Sequence, residues 1–175
     1  MSIQNFFWRP LESLYLGGGT PSLWGEKGLN DFVNLLNQSG ITFDKSVEFT
    51  MELNPSTTSA YLIDQYMSIG VNRFSVGIQS LNSKFLNILD RVHSVGDIEK
   101  TLKALQSRKL NFSIDVMLGL PFSKKYKRNV LQELEFLLNY NPAHISVYIL
   151  TVGKNYKYLD DLPDDDFIRN EYLSV

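Results

Sequence analysis

The sequence predicts a single α/β domain whose strands form one parallel sheet. Three observations support this fold class: five short β-like runs, helix-like stretches between them, and a spacing of about 30 residues from one strand to the next. Such strand–helix units are typical of right-handed βαβ crossovers. The pattern fits either a doubly wound sheet or part of a (β/α) barrel.

The predicted strands cover residues 13–16, 47–53, 73–78, 112–117 and 145–150. The second strand carries the clearest alternation. Its apolar residues share one face, and its polar residues share the other: Val47, Phe49, Met51 and Leu53 against Glu48, Thr50, Glu52 and Asn54. We expect helices to cover the apolar face, so that the polar face looks into a barrel or crevice.

Four helices are predicted between the strands from apolar residues at helical spacing. The four sets are Leu29, Phe32, Val33 and Leu36; Leu62, Tyr66 and Ile69; Ile98, Leu102 and Leu105; and Val130, Leu134 and Leu137. Gly70 is expected to cap the end of the second helix. Ser94 and Asp97 predict a capping box before the third, and Pro142 ends the fourth.

Composition narrows the class of protein. The chain has 175 residues, is 43% hydrophobic and 13% aromatic, and carries a net charge of -2. It can therefore bury a core, and it lacks the positive charge of a nucleic-acid binder. We expect a cytoplasmic protein, because no apolar run would span a bilayer and no secretory pattern opens the chain. With no cysteine, the chain holds no disulfide, catalytic thiolate or cysteine-ligated iron–sulfur cluster of its own.

Polar residues and glycines gather at the carboxyl ends of the predicted strands, where parallel α/β folds place their sites. The residues in question are 17–22, Glu52, Asn54, Gln79, Ser80, Asp115 and Thr151. A solvent-exposed edge would account for part of this pattern. Its recurrence at all five strands favours a ligand cavity.

The individual motifs also have structural interpretations. Residues 17–22 match neither a Walker loop nor a G-x-G-x-x-G loop, and their three glycines suit both a tight turn and close approach of a ligand. Glu52 and Asp115 could bind the ammonium group of a ligand or pair with Arg73 or Arg91. The sequence alone leaves both alternatives open.

Other charged residues carry weaker signals. His93 and His144 match no metal-binding motif, so no metal site made from this chain's side chains is expected. The basic run at 124–128 is expected to be a solvated loop, because cations oppose the dipole at a helix start. The acidic run at 160–166 is expected to cap a helix that continues from Phe167.

A series of ordered segments carries a resemblance to a known family, at residues 16–23, 51–55, 70–80, 89–94, 114–121 and 141–148. They resemble the radical S-adenosylmethionine (SAM) family of oxygen-independent coproporphyrinogen III oxidase and its haem-chaperone relatives. Residues 52–55, 91–94 and 148–151 are closer to the haem-chaperone branch. The resemblance implies an α/β fold, a parallel partial (β/α) barrel of the radical SAM type, with five of its six strands in this chain.

The resemblance also implies a SAM site at the carboxyl ends of the strands. The backbone of Gly18, Gly19 and Thr20 would meet the amino-acid part of SAM, and Glu52 would be an acidic contact. Further polar contacts are implied for Gln79, Arg91, Asp115 and Thr151. This pattern suits a zwitterion, which needs a carboxylate for its ammonium group and an arginine or backbone N–H for its carboxylate. No catalytic base is assigned.

One departure from the family is large. Its first strand leads into a cysteine triplet that holds a 4Fe–4S cluster, and this chain has neither. We therefore expect a central fragment, inactive alone, with residues 1–12 as the remnant of a first helix, 13–152 as the partial barrel, and 153–175 as a linker and the start of a sixth helix. The unpaired strand edge predicts poor stability, unless a second chain supplies the missing strand.

The resemblance finally implies the ligands and the activity. SAM and a tetrapyrrole, either haem or coproporphyrinogen, are the expected partners, without nucleic acid or a membrane span. The expected function is that of a radical SAM protein of porphyrin and haem metabolism. The alternative is a cluster-free module, or pseudo-enzyme, that binds SAM or haem.

Overall fold

A computed structural model describes residues 11–44 and 46–175, and its centre is one sheet of five parallel strands in the order β1-β2-β3-β4-β5. The strands are β1 (Ser13–Leu16), β2 (Glu48–Leu53), β3 (Arg73–Gln79), β4 (Asn111–Leu118) and β5 (His144–Ile149). Every neighbouring pair is parallel. The predicted α/β class is therefore confirmed, and each predicted strand lies within one residue of its observed bounds.

In the described residues, six helices lie between successive strands and a seventh follows β5. They are α1 (Gly25–Gln38), α2 (Ala60–Ile69), α3 (Ser83–Ile88), α4 (Val95–Ser107), α5 (Ser123–Tyr126), α6 (Val130–Leu138) and α7 (Asp165–Leu173). The four helices predicted from periodicity are α1, α2, α4 and α6. Gly70 ends α2 with a φ of 118°, and Ser94 and Asp97 form the predicted capping box of α4. None of the helices in the described residues is long and apolar enough to cross a membrane.

One face of the sheet carries the hydrophobic core. Phe49, Met51 and Leu53 of β2 are buried, and they belong to one cluster with apolar residues of β3 and β4 and of helices α1, α2, α4 and α6. Each fully buried large side chain contributes about 1.5–3 kcal/mol. The apolar face predicted for the second strand thus meets the helix layer as expected.

The opposite face of the sheet is polar. The strand register pairs Glu52 with Ser75, and Gly77 with Asp115. Since side chains of paired residues point to the same side of a sheet, these groups share one surface. Thr50, on the same face, is only 1% exposed, and it accepts a 3.2 Å hydrogen bond from Nη1 of Arg73. The polar face of β2 is therefore part of the packed interior as well as of a site.

An irregularity in β3 changes the direction of its last residue. The register between β3 and β4 shifts between Gly77 and Gln79, and Gln79 has a φ of 69°. Shifts of this kind bend a strand and re-aim the side chain that follows. Gln79 consequently lies at the carboxyl edge of the sheet together with the polar residues of β2 and β4.

The C-terminal segment packs across the end of β4. The backbone N–H of Phe122 donates to the carbonyl of Asp161 at 2.9 Å, and Gly119 N–H donates to Oε2 of Glu171 at 2.8 Å. Asp164 caps α7 by accepting from the N–H of Phe167, which confirms the predicted capping role of the acidic run. Residues 1–10 of the predicted helix remnant lie outside the described residues, and the predicted division of the chain at 13 and 153 stays a prediction.

Candidate functional site

A polar cleft opens at the carboxyl ends of the strands, with a volume of about 210 Å³. It brings together most of the residues predicted for a site. Its wall is formed by Gly19, Thr20, Glu52, Leu53, Asn54, Gly77, Gln79, Arg91, Asp115 and Tyr148. Of the predicted set, only Gly18 and Thr151 lie outside this wall, and Gly18 is hydrogen-bonded to Glu52 within it.

The loop after β1 forms one side of the cleft. Gly18 and Gly19 have φ values of 87° and 65°, in the left-handed region that favours glycine. A Cβ atom at either position would meet no atom within 4 Å, so the outer surface of the loop is open to a ligand. Gly17 is different, because a Cβ there would lie 2.7 Å from Oε1 of Glu52. Both interpretations of the three glycines therefore hold. Gly17 packs tightly against Glu52, whereas Gly18 and Gly19 leave the backbone open to a ligand.

Glu52 is the best-supported carboxylate of the cleft. Its Oε1 accepts a 3.0 Å hydrogen bond from the hydroxyl of Tyr15, and its Oε2 accepts one of 3.0 Å from Gly18 N–H. Burial raises the pKa of Tyr15, and the Glu52 carboxylate raises it further, so the phenol keeps its proton and donates. Tyr15 was not among the predicted residues. Its alternation with Leu14 and Leu16 in β1 was the signal that it shares the polar face.

The second carboxylate, Asp115, accepts a 3.0 Å hydrogen bond from Oγ of Ser75. In the described part of the chain it forms no ion pair, and neither does Glu52. Arg73 lies instead 3.9 Å from Glu48 at the other end of β2. Within residues 11–44 and 46–175, neither Glu52 nor Asp115 forms the salt bridge to Arg73 or Arg91 that was the structural alternative.

Arg91 brings the positive charge of the cleft. Within the described residues its guanidinium has no hydrogen bond or ion pair of its own, although it lines the same wall as the two carboxylates. A guanidinium offers five N–H donors in a planar fork that suits a carboxylate. The lining of one cleft thus includes both anionic and cationic groups, which are the groups that a zwitterionic ligand requires.

Gln79 and Tyr148 close the cleft on the side of β5. The hydroxyl of Tyr148 donates a 2.7 Å hydrogen bond to Oε1 of Gln79, and burial raises the pKa of this tyrosine. Gln79 was predicted as a site residue, whereas Tyr148 was not. The available signal was again strand alternation, since Tyr148 follows Ser146 on the polar face of β5.

Thr151 lies apart from the other predicted residues. It lines a second cavity of about 470 Å³ beyond β5. The two cavities share Arg91, and the second has a more apolar wall that includes Leu89, Met117 and Leu150. A contact between Thr151 and SAM therefore remains a prediction from the resemblance.

The basic run at 124–128 departs from the expected solvated loop in two ways, because residues 124–126 belong to helix α5 and the side chain of the last residue is buried. The side chain of Arg128 is 0% exposed, and its Nε and Nη2 each lie 3.0 Å from an oxygen of Glu133. Its Nη groups also donate to the carbonyls of Met117 and Gln79. Burial is tolerated because a carboxylate and two carbonyls surround the guanidinium.

The chain's own residues do not fit an iron–sulfur cluster. There is no cysteine in the sequence. In residues 11–44 and 46–175, no group of three or more His, Asp or Glu side chains is arranged to hold a metal ion. The cleft is lined by carboxylates, a guanidinium and part of a glycine loop, but the chain provides no thiolate ligands for a cluster.

Comparison with known proteins identifies relatives over most of the chain. The haem chaperone HemW of Haemophilus influenzae is 34% identical over 162 residues, which cover 90% of this chain and 42% of that protein. HemW of Escherichia coli is 32% identical over 162 residues, which again cover 90% of this chain and 42% of that protein. The mouse mitochondrial radical S-adenosyl methionine domain-containing protein 1 is 36% identical over 148 residues, covering 82% of this chain and 32% of its own. The chain thus spans about two fifths or less of the length of these relatives.

Solved structures give the same fold. The coproporphyrinogen III oxidase HemN of Escherichia coli superimposes with a TM-score of 0.81 at 22% identity, covering 94% of this chain and 39% of that one. The radical SAM methyltransferase TsrM of Kitasatospora setae gives a TM-score of 0.62 at 11% identity, over 79% of this chain and 27% of its own. The predicted partial barrel of the radical SAM type is therefore confirmed. The family model described as "Radical SAM superfamily" matches residues 3–134, and this chain belongs to that superfamily.

Proposed function

We propose that the cleft binds SAM and that this chain forms the SAM-binding part of a radical SAM protein of haem metabolism. One observation carries the proposal: Glu52, Asp115 and Arg91 line a single cleft beside an open glycine loop, and residues 11–44 and 46–175 form no ion pair with any of the three. SAM is a zwitterion with a ribose, so it offers a partner to every one of these groups.

The groups of the cleft suggest how SAM would be held. Glu52 and the glycine loop would bind the ammonium group, and Arg91 would bind the carboxylate. Asp115 and Gln79 would take hydrogen bonds from or give them to the ribose hydroxyls. When SAM is bound to a reduced iron–sulfur cluster, its cleavage supplies an organic radical. On its own, this chain is expected to bind SAM without cleaving it.

The haem assignment rests on the curated relatives. Those named haem chaperone HemW are 32% to 34% identical to this chain, whereas the oxidase HemN is 22% identical. This favours handling of haem over oxidation of coproporphyrinogen. The relatives include bacterial proteins and a mouse protein named as mitochondrial. The cytoplasmic location predicted from the sequence therefore stays a prediction.

Titration calorimetry of the chain with SAM tests the proposal. We expect Glu52→Gln to weaken SAM binding at least tenfold, because a charge-assisted hydrogen bond contributes about 1.5–3 kcal/mol. Glu48→Gln is the matched control, since Glu48 lies on the same face of β2 at the opposite end and outside the cleft. No binding by the native chain, or equal binding by Glu52→Gln, would contradict the proposal.

Two further measurements separate the alternatives. Anaerobic reconstitution with iron and sulfide tests for SAM cleavage, and a SAM-cleaving product would overturn the expectation that the chain is inactive alone. An absorbance titration with haem tests the tetrapyrrole assignment. Haem binding without SAM binding would instead support the cluster-free haem-binding module.

A further inference from the structure

Gln79 is held at both its backbone and its side chain by residues that were not predicted as SAM contacts. Its φ of 69° lies in the left-handed region, which is uncommon for a residue other than glycine. Its carbonyl accepts a 3.2 Å hydrogen bond from Nη2 of the buried Arg128, and its Oε1 accepts one of 2.7 Å from the Tyr148 hydroxyl. A residue kept in such a conformation by surrounding contacts is a mark of functional sites.

The Tyr148 contact determines which end of the amide faces the cleft. A glutamine amide has an acceptor oxygen on one side and an N–H donor pair on the other. With Oε1 committed to Tyr148, Nε2 is directed toward Gly77, where an added Cβ would lie only 3.1 Å away. In the described residues Nε2 has no acceptor. Gly77, Gln79 and Tyr148 all line the cleft, so the free donor belongs to the site.

We infer that Tyr148 is a positioning residue, which orients the Gln79 amide so that its N–H groups meet a hydrogen-bond acceptor of the ligand. The inference rests on the proposed binding of SAM, whose hydroxyl and carboxylate oxygens are such acceptors. It goes further by stating what this side of the cleft selects. The Gln79 N–H groups favour a ligand oxygen that accepts hydrogen bonds and disfavour a ligand N–H group. The ordinary pKa of a tyrosine is about 10, and burial raises the pKa of Tyr148 further, so its hydroxyl carries a proton to donate at neutral pH.

A double-mutant cycle on SAM affinity tests the inference. Tyr148→Phe is expected to weaken binding about three- to tenfold, the effect of one neutral hydrogen bond. The double variant Tyr148→Phe/Gln79→Ala should bind no more weakly than Gln79→Ala alone, because Tyr148 acts through Gln79. Tyr61→Phe, which removes an exposed hydroxyl on α2, is the control and should bind like the native chain. Independent effects that multiply, or native affinity in Tyr148→Phe, would overturn the inference.

Gln79→Glu gives a second test that does not alter Tyr148. This variant keeps an oxygen for the tyrosine hydroxyl but has no N–H donor for the ligand. We expect the melting temperature to fall, because the variant places a carboxylate at a buried position beside Glu52 and Asp115, and SAM affinity of the folded variant to fall at least as far as in Gln79→Ala. Native SAM affinity in Gln79→Glu would contradict a donor role for Gln79.

A spectroscopic measurement on the ligand-free chain decides the positioning role separately from SAM binding. In a ¹⁵N-labelled sample, the side-chain NH₂ resonances of Gln79 should shift or broaden in Tyr148→Phe and remain unchanged in Tyr61→Phe. Unchanged resonances in Tyr148→Phe would overturn the inference even if SAM binds. Failure of the native chain to bind SAM would contradict the proposed function, while these resonances would still report on Tyr148.

Discussion

The backbone N–H of Gly18 donates a 3.0 Å hydrogen bond to Oε2 of Glu52, which joins the glycine loop to the end of β2. The other carboxylate oxygen accepts from the Tyr15 hydroxyl, also at 3.0 Å. Both oxygens are therefore held by donors from β1 and its loop. Because hydrogen bonds to a charged group are stronger than neutral ones, loop and strand are positioned as one unit.

Gly17→Ala is expected to disturb this unit. Its Cβ would lie 2.5 Å from Cε1 of Tyr15 and 2.7 Å from Oε1 of Glu52, closer than real Cβ contacts allow. We expect the free energy of unfolding to fall by about 1–3 kcal/mol, as in other overpacked sites, and SAM affinity to fall with it. Denaturant titration and calorimetry measure the two effects.

Gly153→Ala is the matched control for this substitution. A Cβ at position 153 would meet no atom within 4 Å, and we expect neither stability nor SAM affinity to change. If Gly17→Ala behaved in the same way as Gly153→Ala, the close packing of Gly17 against Glu52 would not determine the shape of the cleft.

Thr151→Val is expected to leave SAM affinity unchanged, because Thr151 lines the second cavity and not the cleft. Asp115→Asn, within the cleft, should weaken binding, since a neutral amide oxygen accepts a weaker hydrogen bond from a ligand hydroxyl than a carboxylate does. Calorimetry on the two variants compares them directly. A loss in Thr151→Val as large as that in Asp115→Asn would support the contact between Thr151 and SAM that the resemblance implies.

The sequence predicted those site residues whose position follows from the pattern of their own strand. The alternation in β2 placed Glu52 on the polar face, and the ends of β3 and β4 placed Gln79 and Asp115 at the same edge. Alternation in β1 and β5 indicated only the face that Tyr15 and Tyr148 share, whereas their hydrogen bonds are to Glu52 and Gln79 on other strands. Tyr148 meets Gln79 across 69 positions in the chain, and Gln79 lies at a register shift in β3 that its own sequence does not indicate.

Burial of charge was the other feature that local patterns did not predict. Arg128 ends a basic run whose lysines are exposed, so the whole run was expected to be solvated. The residues that allow its burial lie in α6 and at the ends of β3 and β4. Helix α3 was missed for a simpler reason: its six residues are too short to show a helical period.

Arg128→Met is expected to lower the free energy of unfolding by about 3–5 kcal/mol, because it leaves the Glu133 carboxylate buried without its partner. The two side chains are 0% and 11% exposed, so water cannot replace the lost contacts. Denaturant titration measures the change. Lys27→Met, in an exposed pair with Asp31, should have no measurable effect.

The double variant Arg128→Met/Glu133→Leu distinguishes the cost of an unpaired charge from a loss of packing. Removing both charges should recover part of the stability lost in Arg128→Met, since the Ser80 hydroxyl and Leu81 N–H lose the Glu133 acceptor in the double variant. SAM affinity should not recover with it, since the Gln79 carbonyl still lacks its donor. Equal recovery of stability and affinity would show that Arg128 acts on the fold alone.

Glu171 gives the protein a pH dependence of the opposite sign to that of most carboxylates. Burial raises its pKa above the ordinary value of 4.5, an effect that the Gly119 N–H and Arg128 reduce and Glu133 adds to. The folded state therefore binds the proton more tightly than the unfolded state. The stabilisation from this proton is complete below pH 4.5 and is lost as pH rises through the raised pKa.

Glu171→Gln should remove this dependence, because an amide oxygen still accepts from Gly119 N–H and does not titrate. We expect the unfolding free energy of the variant to exceed that of the native chain by a margin that grows above pH 4.5 and then levels off. Denaturant titrations across a pH series measure the margin, with the exposed Glu135→Gln as control. Parallel curves for the native chain and Glu171→Gln would mean that α7 docks without burying the charge, and the pH dependence would then have to come from another group, such as the buried His93.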